Sequence, residues 1–477
     1  MTKLVLGPFN RVEGDLEVTL DTVDGVVEAA YVNSPMYRGF EEMLLGKAPL
    51  DAQVIVPRIC GICSVAQSVA ATTALRNLAG LEPAPNGRLA ECLVMACENL
   101  ADHLTHFYLF FMPDFARPAY AARPWFAKVA KRFKAVSGEA AAEVLPARAA
   151  FMHLMGLMAG KWPHSLSLQP GGSARPLEQA EILQLIALLR DFRRFLERHT
   201  FGDQLEAVAE LDSLDALAHW RDGRRGDFAL FLELAEDLGL DNLGRAADGY
   251  LSYGAYAAPG GLLFPAGVWA GDLRSLDTER IMEDPSRAWL DGYPSHPAEG
   301  QTRPVPDKPG GYTWCKAPRY GGQVLETGAL SRQMVAGHPL LRELVLAKGG
   351  SVLARVLARQ LELACVLPAM ERWAQSLRVG EPWCHQTALP QSGSAAGLTE
   401  AARGALGHWL MVKQGRIAGY QIIAPTTWNF SPRDADGVPG PLEQALVGVA
   451  VDEGSGDSVQ VQHVVRSFDP CMVCTVH

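Results

Sequence analysis

The chain has 477 residues, 48% of them hydrophobic and 20% charged, with a formal net charge of −10 at pH 7. That length has room for two or three domains, and the acidic balance, with no basic run or stripe, argues against a nucleic-acid or anionic-membrane surface. Nine cysteines are too sparse for a disulfide scaffold, and no apolar run reaches the roughly 20 residues that span a bilayer, the stretch 145–160 being interrupted by Arg148 and His153.

Met1-Thr2-Lys3-Leu4 lacks the basic and apolar regions of a signal peptide, so a soluble cytoplasmic protein is expected. Residues 4–6, 16–20 and 26–32 read as short strands, with Asp24-Gly25 as a hairpin turn between the last two. Residues 41–82 read as helical around Cys60 and Cys63, with Pro57 just ahead of the pair. Over 86–112, Leu89, Leu93, Ala96, Leu100, Leu104, Phe107 and Phe111 form one apolar stripe and predict a long helix capped by Asn86. A second face of that helix carries Asn99, Asp102 and His106, a set that is either solvated or lines a buried site. Further long helices are expected over 177–199 and 351–373, the latter capped by Ser351 and bent or ended at Pro368. Residues 245–335 are rich in Gly, Pro, Tyr and Trp, with short strand-like pieces. With no linker, low-complexity tract or internal repeat, the expectation is one mainly helical α+β unit over 1–477 in which distant segments share a core.

Two pairs of thiols stand out, Cys60-Gly61-Ile62-Cys63 and Cys471-Met472-Val473-Cys474, the second three residues from His477. Four thiolates are a soft donor set that suits zinc, nickel, copper(I) or an iron–sulfur cluster. A lone C-x-x-C is most simply a structural zinc knuckle or a redox dithiol. Here the pairs lie 411 positions apart, unlike the local spacing of knuckles, and neither sits in the βαβ setting of a thioredoxin. Cys92, Cys97, Cys315, Cys365 and Cys384 read as small buried hydrophobes.

The context of the pairs, Arg58-Ile59-Cys60-Gly61-Ile62-Cys63 and Asp469-Pro470-Cys471-Met472-Val473-Cys474-Thr475-Val476-His477, resembles the two signature motifs of the nickel–iron hydrogenase large subunit. Further matches lie in order along the whole chain: Arg11-Val12-Glu13-Gly14, Arg38-Gly39-Phe40-Glu41, Gly160 to His164, Trp314 to Tyr320, Ala402 to Trp409, and Tyr420 to Asn429. The resemblance implies that family's fold, a central bundle of long helices with small peripheral sheets. It also implies nickel held by Cys60, Cys63, Cys471 and Cys474, with Cys63 and Cys474 bridging to an iron that carries one carbonyl and two cyanides. Arg403 would overhang the metals beside Asp102 and Asp469. Thr426, with backbone around Arg403, would donate to the cyanides, and Glu13 would relay protons. Glu41, His477 and the Ile422 carbonyl would hold a magnesium (or iron) near the C-terminus. The activity implied is heterolytic cleavage of H2, with electrons leaving through a separate iron–sulfur small subunit, since this chain offers no obvious ligands for a relay of clusters.

Departures from the family pattern refine the expectation. Asp15 and Gln67 stand where uptake enzymes carry His, and resemble the regulatory, hydrogen-sensing branch, whose signal would pass to a histidine kinase. Ile62 and Phe110 take the inner end of the gas channel, where many relatives have smaller Val and Leu. Ala402 replaces a frequent Pro. The chain ends at His477, without the C-terminal extension that many large subunits lose on maturation. The expected function is therefore a hydrogen-sensing nickel–iron hydrogenase subunit of low turnover, with a cytoplasmic uptake hydrogenase as the alternative and a structural zinc protein as the reading from another class.

Overall fold

A computed structural model describes residues 2–451 and 458–477. The chain starts with an antiparallel meander of β1 (Thr2–Leu6), β2 (Glu17–Val23) and β3 (Val26–Asn33). Asp24 and Gly25 both take positive φ, 51° and 74°, as a tight two-residue hairpin requires. Alternation buries Val18, Leu20, Val27, Ala30 and Val32 on one face.

The expected helix over 41–82 is broken in the middle. Only α1 (Phe40–Leu44) and α2 (Ser64–Ala79) are substantial, and between them Pro57 enters a short 3-10 turn over Val56–Ile59. Cys60 then leaves helical space, at φ −148° and ψ 132°. Proline removes a helical donor, and the break turns the first thiol pair out of the helix, leaving Cys63 at the N-cap of α2.

The long helix α3 (Pro85–Thr105) continues as a π-turn over His106–Phe111. Its cap differs from expectation: Pro85 takes the first helical position after Ala84. Asn86 instead reaches across to residue 378, donating to the Arg378 carbonyl at 2.7 Å and accepting its N–H at 3.1 Å. Asn99, Asp102 and His106 are all buried, which settles their face as one lining the interior.

α4 (Glu139–Ala159) and α5 (Gln179–Phe195) join the bundle, together with α6 (Val352–Ser376). The Ser351 hydroxyl accepts the Ala354 N–H at 3.2 Å, as its cap position predicts. Pro368 does not end α6, which runs about two turns further, to Ser376. The Gly- and aromatic-rich middle of the chain supplies a hairpin of β4 (Tyr250–Ala258) and β5 (Gly261–Trp269).

An antiparallel meander of β6 (Gly393–Ala401), β7 (Gly404–Lys413) and β8 (Arg416–Ile423) follows, and periodicity gave no sign of it. β6 is Gly-Ser-Ala-Ala-Gly-Leu-Thr-Glu-Ala, poor in β-branched residues because it lies directly on α2. A side chain at Gly397 would begin 2.0 Å from the Ala70 carbonyl oxygen. The last segments are α7 (Pro425–Asn429), α8 (Pro441–Leu446), α9 (Val459–Ser467) and α10 (Met472–Thr475). One hydrophobic core takes in residues from Leu6 to Cys474. Of the five cysteines expected to be core hydrophobes, Cys92, Cys97 and Cys315 are buried, whereas Cys365 and Cys384 are only partly covered.

Candidate metal centre

The two thiol pairs meet. Cys60 Sγ lies 3.5 Å from Cys471 Sγ, Cys63 Sγ 3.0 Å from Cys474 Sγ, and Cys471 Sγ 2.9 Å from Cys474 Sγ. All four sulfurs fall within 4.8 Å of one another and none is in a disulfide. Among the described residues this is the one such group of His, Cys, Asp or Glu ligand atoms.

The N-terminal loop brings the halves together. Glu13 makes an isolated bridge with Cys471 in the C-terminal segment, its N–H reaching the Pro470 carbonyl at 3.4 Å and its carbonyl taking the Met472 N–H at 2.6 Å. Gly14 makes this approach possible: its φ is +83°, and a Cβ there would meet Val473 Cγ1 at 3.0 Å. Arg38 holds both strings, donating to the Ile59 carbonyl at 2.7 Å and also to that of Val473.

Contacts with Cys471, Cys474 and Cys63 hold the Cys60 thiol well below the usual range, while the same contacts with Cys471 and Cys474 push Cys63 well above it. Burial pushes Cys471 and Cys474 up as well. Left to itself the set favours one thiolate. Full ionisation of four buried thiols needs cationic charge among them, and soft sulfur donors select a soft transition metal to supply it. The donor chemistry fits a nickel-containing centre.

Above the sulfurs sits Arg403, in the two-residue turn between β6 and β7. Its Nε donates to the Asp469 carbonyl at 2.8 Å, its Nη2 to Asp469 Oδ1 at 3.1 Å, and its Nη1 lies 3.0 Å from Asp102 Oδ2. All three side chains are buried. Burial, and then the neighbouring Asp469 charge, raise Asp102 to about 7 against the pull of Arg403. Burial also opposes charge on Asp469, but Arg403, the His106 ring and Arg359 outweigh it and hold that carboxyl low. The Thr426 hydroxyl accepts the Cys471 N–H at 3.1 Å, which leaves its own hydrogen free to donate. Glu13 is half-buried, and burial followed by the Cys60 charge raises its pKa.

Residues expected around the C-terminal ion also converge. Glu41 Oε1 accepts the Ile422 N–H at 2.7 Å, and His477 Nε2 lies 2.7 Å from the Ile422 carbonyl oxygen. They line a cavity of about 20 Å³ together with Glu283, Thr302 and Lys316, room for about one water or ion. Glu41 and His477 are buried, so the last residue is not a frayed end.

The other expected residues separate. Gln67 is buried one turn along α2 from Cys63. Ile62 is partly buried beside the site, and Phe110 is partly covered in the π-turn, its carbonyl accepting from Arg11 at 3.0 Å. Asp15 is exposed on the surface of this chain.

Several buried charges around the centre went unnoticed in the sequence. Arg332 donates to Glu362 at 2.7 Å and to Glu400 at 2.9 Å, and to the carbonyls of Ala401 and Ala402, and so pins the turn that carries Arg403. Lys316 pairs with Glu283 at 3.0 Å beside the C-terminal cavity. Glu98 accepts the N–H groups of Val65 and Ala66, each at 3.0 Å, at the start of α2. Lys316 lies inside a matched motif, which was a usable signal; for the others no local pattern distinguishes a buried charge from a solvated one.

Comparison with known proteins agrees with this geometry. The family description "nickel-dependent hydrogenase" matches residues 38–140 and 141–477. The chain is 29% identical to the periplasmic [NiFeSe] hydrogenase large subunit of Desulfomicrobium baculatum, across 100% of this chain and 95% of that one. It is 26% identical to the uptake hydrogenase large subunit of Rhodobacter capsulatus, with coverage of 100% and 95%. The solved structure of the reduced nickel–iron–selenium hydrogenase from D. vulgaris Hildenborough superposes with a TM-score of 0.85 at 30% identity, over 100% of both chains. The chain belongs to the nickel-dependent hydrogenase family and has the large-subunit fold.

Proposed function

We propose that this chain is the active-site subunit of a hydrogen-sensing nickel–iron hydrogenase. The observation that carries the hydrogenase part is the closed set of four thiols under Arg403. When bound, a nickel–iron centre, with one carbonyl and two cyanides on iron, supplies the redox chemistry that splits H2 into two protons and two electrons. Cys60, Cys63, Cys471 and Cys474 would hold it.

The chain's own residues set the conditions for that chemistry. Arg403, braced by two carboxylates, keeps a fixed positive charge over the site in a dry environment where it acts strongly. Thr426 presents a hydroxyl hydrogen to an anionic ligand. Glu13, its carboxyl raised by burial, takes a proton beside Cys60 and carries it outward. Glu41, the Ile422 carbonyl and His477 would bind a magnesium ion, whose charge would relieve the buried Glu41 and Glu283 and pin the tail. Electrons would pass to a small subunit bearing iron–sulfur clusters.

The sensor role is supported by Gln67 and Asp15 in place of histidines, with Ile62 and Phe110 narrowing gas entry. In this reading the protein is cytoplasmic and signals to a histidine kinase. No helix among the described residues is long and apolar enough to cross a membrane. The second reading, an uptake hydrogenase feeding metabolism, is favoured by the full-length likeness to the R. capsulatus uptake subunit. Two measurements test the proposal. The infrared spectrum of the purified protein should show carbonyl and cyanide bands, and zinc without such bands would overturn the hydrogenase centre. Turnover with a saturating electron acceptor should be low; rapid turnover with no kinase response to H2 favours the uptake reading.

A further inference from the structure

One buried side-chain atom, on the residue a helical turn beyond Cys63, has no hydrogen-bond partner among the described residues. Gln67 follows Cys63 by one turn of α2, its N–H bonded to the Cys63 carbonyl at 3.1 Å. Side chains four residues apart share a helix face, and each leans toward the N-terminus, so the Gln67 carboxamide lies over the turn that carries Cys63. The residue is 1% exposed. Its Oε1 is 2.8 Å from His408 Nε2, and His408 Nδ1 is 2.8 Å from Tyr420 Oη. Gln67 Nε2 has no partner among the described residues. His408 stands on β7 and Tyr420 on β8, in the sheet whose first turn carries Arg403.

His408 is fully buried, and a neutral imidazole carries a single N–H. Two arrangements are then open. In the first, the Tyr420 hydroxyl donates to Nδ1 and Nε2–H donates to Gln67 Oε1, so the only unused donor is the amide N–H2. In the second, the amide is reversed and donates to Nε2, and Nδ1–H donates to Tyr420. That arrangement strands the Tyr420 hydroxyl hydrogen, which has no other acceptor among the described residues, and turns the amide oxygen lone pairs toward a thiolate-rich site. Stranding a buried hydroxyl forfeits its hydrogen bond to water with nothing in return, and an oxygen facing thiolates adds repulsion. The first arrangement wins.

We propose that His408, backed by Tyr420, is a positioning residue that locks the Gln67 carboxamide with its N–H2 turned to the Cys63 side of the metal centre. The inference rests on the nickel–iron reading of the four thiols. A hydrogen-bond donor beside anionic ligands withdraws electron density from them, and outer partners of this kind tune the centre. Loss of that donor leaves more electron density for the iron carbonyl and lowers its stretching frequency.

The test uses the assembled protein with its partner subunit, read by infrared spectroscopy at matched nickel content. His408→Leu should move the carbonyl band to lower frequency. His408→Gln, whose side-chain amide places an N–H near the former Nε2, should return it. Tyr420→Phe should give a smaller shift of the same sign, and His408→Leu should add nothing on a Gln67→Leu background. A wild-type spectrum in His408→Leu, or an undiminished shift on the Gln67→Leu background, overturns the proposal. Should His408→Leu fail to accumulate, Tyr420→Phe decides, and an unmoved band overturns it. Absence of carbonyl and cyanide bands from the wild type would end the nickel–iron reading instead. The Gln67–His408 coupling is then read from the thermal midpoints of the single and double variants, where additive shifts overturn the lock.

Discussion

Arg403 is held by three contacts to two carboxyl-bearing residues, and that geometry belongs to a planar guanidinium alone. A lysine ammonium lacks the planar fork that reaches Asp102, the Asp469 carboxylate and the Asp469 carbonyl together, so Arg403→Lys moves the charge and gives up at least one of these contacts. Displacing one preorganised donor from a dry site costs on the order of a hundredfold in kcat, and that loss is expected in H2-dependent dye reduction with nickel content unchanged. A variant within tenfold of wild type would contradict the assigned role. The carboxylates also show the limit of residue-level reading. Asp102 in a helical stripe has nothing to mark it as buried; its meaning came from the resemblance, and its raised pKa from burial and then from the Asp469 carboxylate that arrives 367 positions later, within reach of the same arginine. Gln67 was singled out as a departure, yet its partner His408 was only part of a matched motif until the strands placed it.

Elements were most legible where a local rule acts alone. The cap of α6 is such a case: Ser351 accepts a backbone N–H in a buried position, so Ser351→Ala should cost about 1 kcal/mol, measurable as a lower thermal midpoint with the same metal content. The cap assigned to Asn86 failed for an equally local reason, since the preceding Pro85 already fits the first helical position. α8 offers a test of a carboxyl between elements. Glu443 Oε1 accepts from the Val32 N–H at 3.0 Å and the Tyr312 hydroxyl at 2.8 Å, Oε2 has no partner among the described residues, and burial raises the group to about 7. The folded chain therefore keeps a proton that the unfolded chain releases above its ordinary value of 4.5. The folded state binds more protons in that window, so this group favours folding below it and loses that contribution as pH rises to about 7. Glu443→Gln keeps the bonded oxygen and has no proton to lose. Its thermal midpoint, relative to wild type, should rise between pH 4.5 and about 7; a constant difference would contradict the buried neutral acid.

At the scale of the molecule, the chain closes on itself. The N-terminal loop, the first thiol pair, the Arg403 turn and the last nine residues are distant in sequence and meet at one point. Val476 and His477 are buried, and His477 bonds the Ile422 carbonyl. Ending the chain at Thr475 should dismantle the proposed magnesium site, loosen nickel retention against a chelator and destabilise the fold by about 2 kcal/mol or more from lost burial and a lost hydrogen bond. Full nickel retention in the shortened chain would show that the tail is not a clasp.

By itself the sequence determined the donor set, the family likeness and the residues that could serve the site, because ligand chemistry and motif spacing are written in residue types. It determined the first meander and the cap of α6, since turn and cap rules act over a few residues. Tertiary structure alone decided that the 41–82 segment breaks at the thiols, that β6 lies on α2 through Gly397, and that Arg332, Glu362 and Glu400 sit in the interior around the Arg403 turn. A charge or a glycine reads the same in solvent and in a core, and only the neighbours brought by the fold distinguish them.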